Sequence, residues 1–300
     1  MLNNLKLSHK FTVLLLIVFL GGILLSGLAF SQVLNRNAQN ELASRALILM
    51  ETMNSVRHYT NTQVNPELKP RLELEFLPES VPAYAAREVF EILRTVEPYR
   101  DFFYKEATLN PTNLRDKADD FETTLVETFS QFPNKIEQQG FRDIPGGRLF
   151  YVSRPIQITQ ESCLQCHGNP DLAPTSMIAQ YGRENGFNWQ MNEIVGAQII
   201  SVPARKVVNR ARKAFGLLMG IVAVVFAIAL FLANFLLVRF VVHPLRRMSQ
   251  VAEVVSTGDM QAEFSYRAKD EVGDMARAFE RMKVSLSMAM KMLGQSEDAP

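Results

Sequence analysis

Two long stretches of the 300-residue chain carry no charge, and the remaining pattern is arranged around them. The first is 11–30, from Phe11 to Phe30. At 1.5 Å rise per residue, about 20 helical residues span the ~30 Å hydrocarbon core of a bilayer. The second runs from about Ala214 to Val238, with Asn234 as its one strongly polar residue. The first run exceeds the ~7–15 apolar residues of a cleavable signal peptide. It is therefore read as an uncleaved anchor, although Gly27-Leu28-Ala29 places small residues where a cleavage site needs them.

Between these runs the pattern is helical first and strand-like later. From Ser31 to about Thr62, apolar residues at Val33, Leu34, Ala38, Leu42, Ala46, Leu49, Met53 and Val56 recur at threes and fours, which predicts one helix continuing out of the first span. Pro66 and Pro70 are expected to end it. A second helix is predicted over Pro82 to Thr95. Asn110-Pro111 has the form of an N-cap followed by proline, with the helix itself starting nearer Asn113 or Lys117 and running through Phe121, Leu125 and Phe129 to Phe132, before Pro133. Beyond a Gly146-Gly147 turn, residues from Arg148 to Thr159 alternate as strands do. Pro170, Pro174, Gly182 and Gly186 mark an irregular loop, and Glu193 to Pro203 reads as a last strand. Helices followed by an antiparallel sheet make an α+β layout.

After the second span, Leu245, Met248, Ala252 and Val255 form one apolar stripe, and Val272, Met275, Phe279, Met282 and Leu286 form another. Gly258-Asp259 interrupts them, and Asp270-Glu271-Val272-Gly273 starts the second helix with acids that suit the helix dipole. The tail from Gln295 to Pro300 reads as disordered.

Charge settles less than hydropathy does. The formal net charge is +1, which implies no nucleic-acid partner. Basic residues flank the second run on both sides: Arg205, Lys206, Arg210, Arg212 and Lys213 before it, and Arg239, His243, Arg246 and Arg247 after it. Counting Lys and Arg therefore does not orient that span. The leader, with Lys6, His9 and Lys10, favours a cytoplasmic N-terminus, which puts the segment between the runs outside and the C-terminal segment inside. The expected division is a leader 1–10, a span 11–32, an external domain 33–213, a span 214–238, a cytoplasmic helical domain 239–291 and a tail 292–300.

The chemistry concentrates at Cys163-Leu164-Gln165-Cys166-His167, which holds both cysteines of the chain. Two thiols three apart with a histidine directly after form the attachment pattern of a c-type haem. The thiols add to the porphyrin vinyl groups, and the imidazole becomes the proximal iron ligand. A redox dithiol would sit in a βαβ setting that the pattern does not show. A zinc site would need a second Cys/His pair to complete four ligands. A plain disulfide is the remaining alternative. Haem attachment to this motif occurs outside the cytoplasm, where the topology puts it.

Four stretches carry a resemblance: His58-Tyr59-Thr60 through Pro66, Asn110-Pro111-Thr112-Asn113, Cys163 to Gly168, and Glu193-Ile194-Val195-Gly196-Ala197. Over about residues 45–203 the chain resembles a family of bacterial periplasmic c-haem sensor domains of PAS-like fold, long catalogued only as a domain of unknown function. The resemblance implies a distal iron ligand from the first long helix, in some members a cysteine. No third cysteine exists here, and His58 is the other histidine of the external segment. His58 is the candidate distal ligand, Met53 the runner-up, and an open gas-binding site the third possibility. Asn110 and Thr112 could also contact a haem. The C-terminal segment resembles a HAMP domain through Pro244, Gly258-Asp259 and Asp270-Glu271-x-Gly273. HAMP domains are parallel four-helix bundles from two chains, which implies a homodimer.

No phosphate-cradling glycine loop occurs, and no histidine follows Pro244 to accept a phosphoryl group, so enzymatic output from this polypeptide is not expected. The reading is a two-pass receptor of the bacterial inner membrane with both termini cytoplasmic. It would sense redox state or a small ligand through a covalent haem c, one per chain, and signal through HAMP to a cytoplasmic partner in trans. The alternative is a membrane-anchored c-type cytochrome for electron transfer. A haem-free binding sensor, with the cysteines in a disulfide, is a third reading.

Overall fold

The computed structural model describes residues 7–297 apart from Glu73 and Ser265. The chain forms two compact units. One is Gln32–Ala214, and the other combines Met1–Ser31 with Phe215–Pro300.

The first unit contains a four-stranded antiparallel sheet in the order β1-β4-β3-β2, made of β1 (Phe103–Thr108), β2 (Gln138–Ile144), β3 (Gly147–Gln157) and β4 (Ile194–Pro203). The last strand in sequence, β4, lies between the first and the third. Helix α1 (Leu7–Tyr59) brings Leu42, Ala46, Met50 and Met53 onto one face of the sheet. There they meet Phe90 of α3 (Pro82–Arg94) and the strand residues Tyr104, Val152 and Ile200. Helix α4 (Asp120–Gln131) covers the opposite face, with Leu125, Val126 and Phe129 against Tyr151, Ala197 and Ile199. Because both faces are covered, β4 is buried along nearly its whole length, and its sequence lacks the alternation of a half-exposed strand.

Several boundaries differ from those the sequence suggests. Pro66 does not end the first helix. A π turn (Thr60–Val64) is followed by a short α2 (Asn65–Leu68) and a 3-10 turn through Arg71. A proline inside a helix lacks an N–H and clashes with the carbonyl four residues back. Here the hydrogen bonds widen before it, with Asn65 N–H donating to the Thr60 carbonyl, and Pro66 falls in the first turn of α2, where its missing N–H is tolerated. The same device recurs at Val238–Val242 ahead of Pro244. Asn110-Pro111 does not start a helix either. A 3-10 turn at Leu114–Asp116 is capped by Asn113, and α4 starts after Asp119. Asp119 and Glu122 form a reciprocal capping box, each side chain accepting from the other's backbone N–H at 2.9 Å. The Cys163 motif lies in helix α5 (Glu161–His167), and the stretch after it, expected as an irregular loop, contains α6 (Thr175–Tyr181).

Beyond Met53 the contact between α1 and the sheet turns polar. Arg57 pairs with Glu106, whose carboxylate also accepts from the Tyr104 hydroxyl. Gln198 Nε2 donates to Tyr104 Oη at 3.0 Å and to Asn54 Oδ1 at 2.9 Å. Burial opposes the Arg57 charge, but Glu106 and Tyr104 more than offset it and raise its pKa above the ordinary value.

In the second unit, the apolar parts of α1 and α7 (Arg205–Leu237) are long and apolar enough to span a membrane, and their outer side chains are left exposed. Phe19 stacks on Phe226 at 5.3 Å, and Thr12 Oγ1 donates to Asn234 Oδ1 at 2.9 Å. Asn234, the one strongly polar residue of the second run, therefore has a partner. Helices α8 (His243–Ser256) and α9 (Glu271–Glu297) follow. Asp270 caps α9 by accepting from Gly273 N–H at 2.7 Å. A Cβ on Gly273 would lie 1.9 Å from the Ala268 carbonyl oxygen, which explains the glycine of Asp-Glu-x-Gly. Helix α9 continues to Glu297, past the tail boundary expected from composition, and residues 298–300 lie outside the described residues.

Two outcomes test this packing. Phe90→Ala removes a fully buried ring and should destabilise the protein by about 3–5 kcal/mol, whereas Phe132→Ala, at a position 61% exposed, should stay within about 0.5 kcal/mol in chemical denaturation. Glu106→Ala removes the partner of the half-buried Arg57 charge and should cost about 1–2 kcal/mol; Arg57→Met combined with Glu106→Leu should recover most of that loss.

Candidate haem site

Helix α5 is two turns long, and its last residue is His167. Cys163 and Cys166, three apart, share one face of it. Both thiols are free and half-buried. Burial, together with the neighbouring Cys163, holds the Cys166 thiol above its usual pKa, and Lys69 partly opposes this. Cys166 is thus kept protonated rather than poised as a thiolate nucleophile.

The segment after α6 folds back onto the end of α5. Trp189 N–H donates to the His167 carbonyl at 3.1 Å, and Asn188 N–H donates to the Gly168 carbonyl at 2.8 Å. This return brings the Gly186 carbonyl oxygen to 2.8 Å from His167 Nδ1. A carbonyl only accepts, so Nδ1 carries the proton in this contact and the neutral ring presents Nε2 as a lone-pair donor. Thr112 Oγ1 stands 3.4 Å from the same Nδ1. Burial lowers the His167 pKa, which keeps the ring neutral, and the Gly186 contact acts in the opposite sense. Among the described residues no hydrogen bond to Nε2 is formed.

Gly186 has φ +82°, and a Cβ there would come within 2.0 Å of Thr112 Oγ1. Its own N–H donates to Asn110 Oδ1 at 3.3 Å. Asn110 and Thr112 thus serve the loop that holds His167, which accounts for them better than a helix start does. The indole of Trp189 lies over the His167 ring, centroids 4.1 Å apart and planes 14° from parallel. Trp189 is the one tryptophan of the chain, and sequence reasoning gave it no role. Only its uniqueness and the nearby Gly182 and Gly186 hinted at a built loop.

The other candidates are separated by the fold. Met53 is 1% exposed and packed in the core with Phe90, so helical packing explains it. His58 lies exposed on the last turn of α1. Three residues on, Asn61 Nδ2 donates to Oε1 of Gln160, the residue preceding α5, at 3.4 Å. The end of the long helix therefore adjoins the start of the motif helix. The following segment also closes on this region, since Ser176 of α6 donates to the Leu72 carbonyl and Phe76 meets Tyr181 edge-on at 5.3 Å.

Residues 236–288 match the HAMP domain. No curated protein matches the chain. A crystal structure of the cyanobacterial haem protein Tll0287 aligns over 54% of this chain and 95% of its own, at 13% identity and a TM-score of 0.38. Residues 35–203, more than half of the chain, match the Tll0287-like family, and the chain belongs to that family, with a HAMP domain following the family domain.

Proposed function

We propose that this protein is a two-pass receptor of the bacterial inner membrane that carries one covalent haem c on its external domain and reports the state of that haem through HAMP. The observation that carries the reading is the presentation of His167. Its Nδ1–H is held by the Gly186 carbonyl and its Nε2 is left unpaired among the described residues, directly after two free thiols on one helical face. Metal-bound histidines commonly donate their second N–H to such a carbonyl, which fixes the tautomer and strengthens the ligand. The residues present therefore fit the group. Cys163 and Cys166 would form the thioethers and His167 the proximal bond, and the haem would supply a one-electron or ligand-binding centre.

His58 is the distal ligand in this reading, because it ends the helix that adjoins the motif while Met53 is committed to the core. The exposed apolar side chains of Leu74 and Leu172, on segments flanking α5, suit a region that a porphyrin would cover. The external unit is read as PAS-like on the strength of its antiparallel sheet with first and last strands adjacent. The stripe residues Met275, Met282 and Leu286 of α9 stay exposed in the single chain, which supports a two-chain HAMP bundle and hence a homodimer. A cytoplasmic protein in trans would read that bundle. An electron-transfer cytochrome would use the haem and the anchor but would give α8 and α9 no task.

The test is spectroscopic. The full chain, made with haem-attachment machinery and then denatured, should keep haem on the polypeptide, and Cys163→Ala with Cys166→Ala should abolish it. The native protein should be low-spin, and His58→Ala should turn the ferric spectrum high-spin. An unchanged spectrum in that variant removes His58 as a ligand, and a wild-type chain without bound haem contradicts the whole reading.

A further inference from the structure

We propose that Trp189 is a positioning residue for the proximal ligand: its indole, together with the Gly186 carbonyl, fixes the rotation of the His167 ring and thereby sets the balance between oxidised and reduced haem. This rests on the haem reading above, which involves His167 but assigns nothing to Trp189.

The argument starts from degrees of freedom. A histidine at the end of a short helix can turn about two side-chain bonds. The contact from Nδ1 to the Gly186 oxygen, 2.8 Å long, fixes one edge of the ring. It leaves the ring free to swing about the line of that hydrogen bond. The indole, 4.1 Å away and 14° from parallel, blocks that swing by covering one face. Edge and face are held by neighbouring residues of one loop, and that loop is tied to α5 twice more, through Trp189 N–H to the His167 carbonyl and Asn188 N–H to the Gly168 carbonyl. The loop is in turn pinned from β1's side by Asn110 to Gly186 N–H. Nε2 is left with one direction in which to present its lone pair.

Ligand strength depends on that direction. An imidazole held square to its metal and donating Nδ1–H to a carbonyl gives more charge to the iron and favours the ferric state. A ring free to tilt gives less. Loss of the indole should therefore shift the haem toward reduction at any fixed ambient potential, without removing the thiols, the histidine or the carbonyl.

The experiment uses the haem-loaded full chain and the variants Trp189→Ala, Trp189→Leu and Trp189→Phe. Three quantities are read: haem per chain, the ferric electron-paramagnetic-resonance spectrum, which reports ligand-ring orientation, and the oxidised-to-reduced ratio in a redox titration. Trp189→Ala and Trp189→Leu should keep the haem, broaden or shift the resonance, and lower the oxidised-to-reduced ratio at a fixed potential, since outer-shell partners tune the redox potential of a metal centre. Trp189→Phe restores a flat face and should return both readouts most of the way. Leucine fills volume without a flat face, so a Trp189→Leu protein with wild-type resonance and ratio would show mere packing and overturn the proposal. The sole tryptophan provides a check that needs no variant: emission from the loaded wild type should be strongly quenched by the haem and recover on denaturation. Unquenched emission from a loaded chain would also overturn the proposal. A wild-type chain lacking covalent haem would instead defeat the underlying reading, an outcome distinct from a loaded chain indifferent to Trp189.

Discussion

The contact between His167 Nδ1 and the Gly186 carbonyl is the constraint on which the site depends. It decides the tautomer of the ring, and the tautomer decides what chemistry the ring can do. To make it, the chain must return to the end of α5 after α6, take φ +82° at Gly186, and pass so close to Thr112 that no Cβ could fit. The sheet makes this return possible. Strand β1 leads into Asn110 and Thr112, and β4 follows immediately after the Trp189 loop. These two strands pair along their length, with Thr108 opposite Gly196, so the segments that hold His167 issue from adjacent strand ends.

The same geometry gives the long helix a part in the site. Its stripe of Leu42, Ala46, Met50 and Met53 is ordinary core packing. Past Met53 it changes to Asn54 and Arg57, which bond to β1 and β4 through Glu106, Tyr104 and Gln198, and then to His58 and Asn61 beside the motif helix. A half-buried ion pair adds little stability, but a change of helix register by one residue would strand the Arg57 charge. Under the proposed function that register is what a change at the haem would act upon. Helix α1 is continuous from Leu7 to Tyr59, and β4 leads within two residues into α7, so both membrane-spanning segments begin or end in elements that meet at the site. HAMP would then serve as the two-state element that the shift biases.

Much of this was legible from residue pattern. The apolar runs, the α1 stripe, α3 and β4 follow from periodicity, and α9 starts at the Asp270-Glu271 pair that the sequence marks as a helix start. Two of the misreadings arise where a partner distant in sequence overrules a local signal, and one where a neighbouring turn absorbs it. Asn110-Pro111 looks like a cap, but Asn110 bonds to Gly186, 76 positions away. Pro66 looks like a stop, but a π turn absorbs it. Strand β1 went unread because Tyr104 and Ala107 are buried on opposite faces while Glu106 pairs with Arg57, which leaves no clean alternation. The motif Cys163 to His167 could be read from spacing alone. Trp189 could not, since stacking on a histidine leaves no spacing signature.

The central claim is that the state of the haem moves the HAMP helices. It is tested most directly by disulfide cross-linking of the haem-loaded chain in membranes, using a single cysteine introduced on the exposed stripe of α9 by Met282→Cys. The account predicts that the yield or rate of cross-linking differs between protein held ferric and protein held ferrous, and that the difference disappears in a His58→Ala background. Equal cross-linking in both oxidation states, with haem fully loaded, would contradict it.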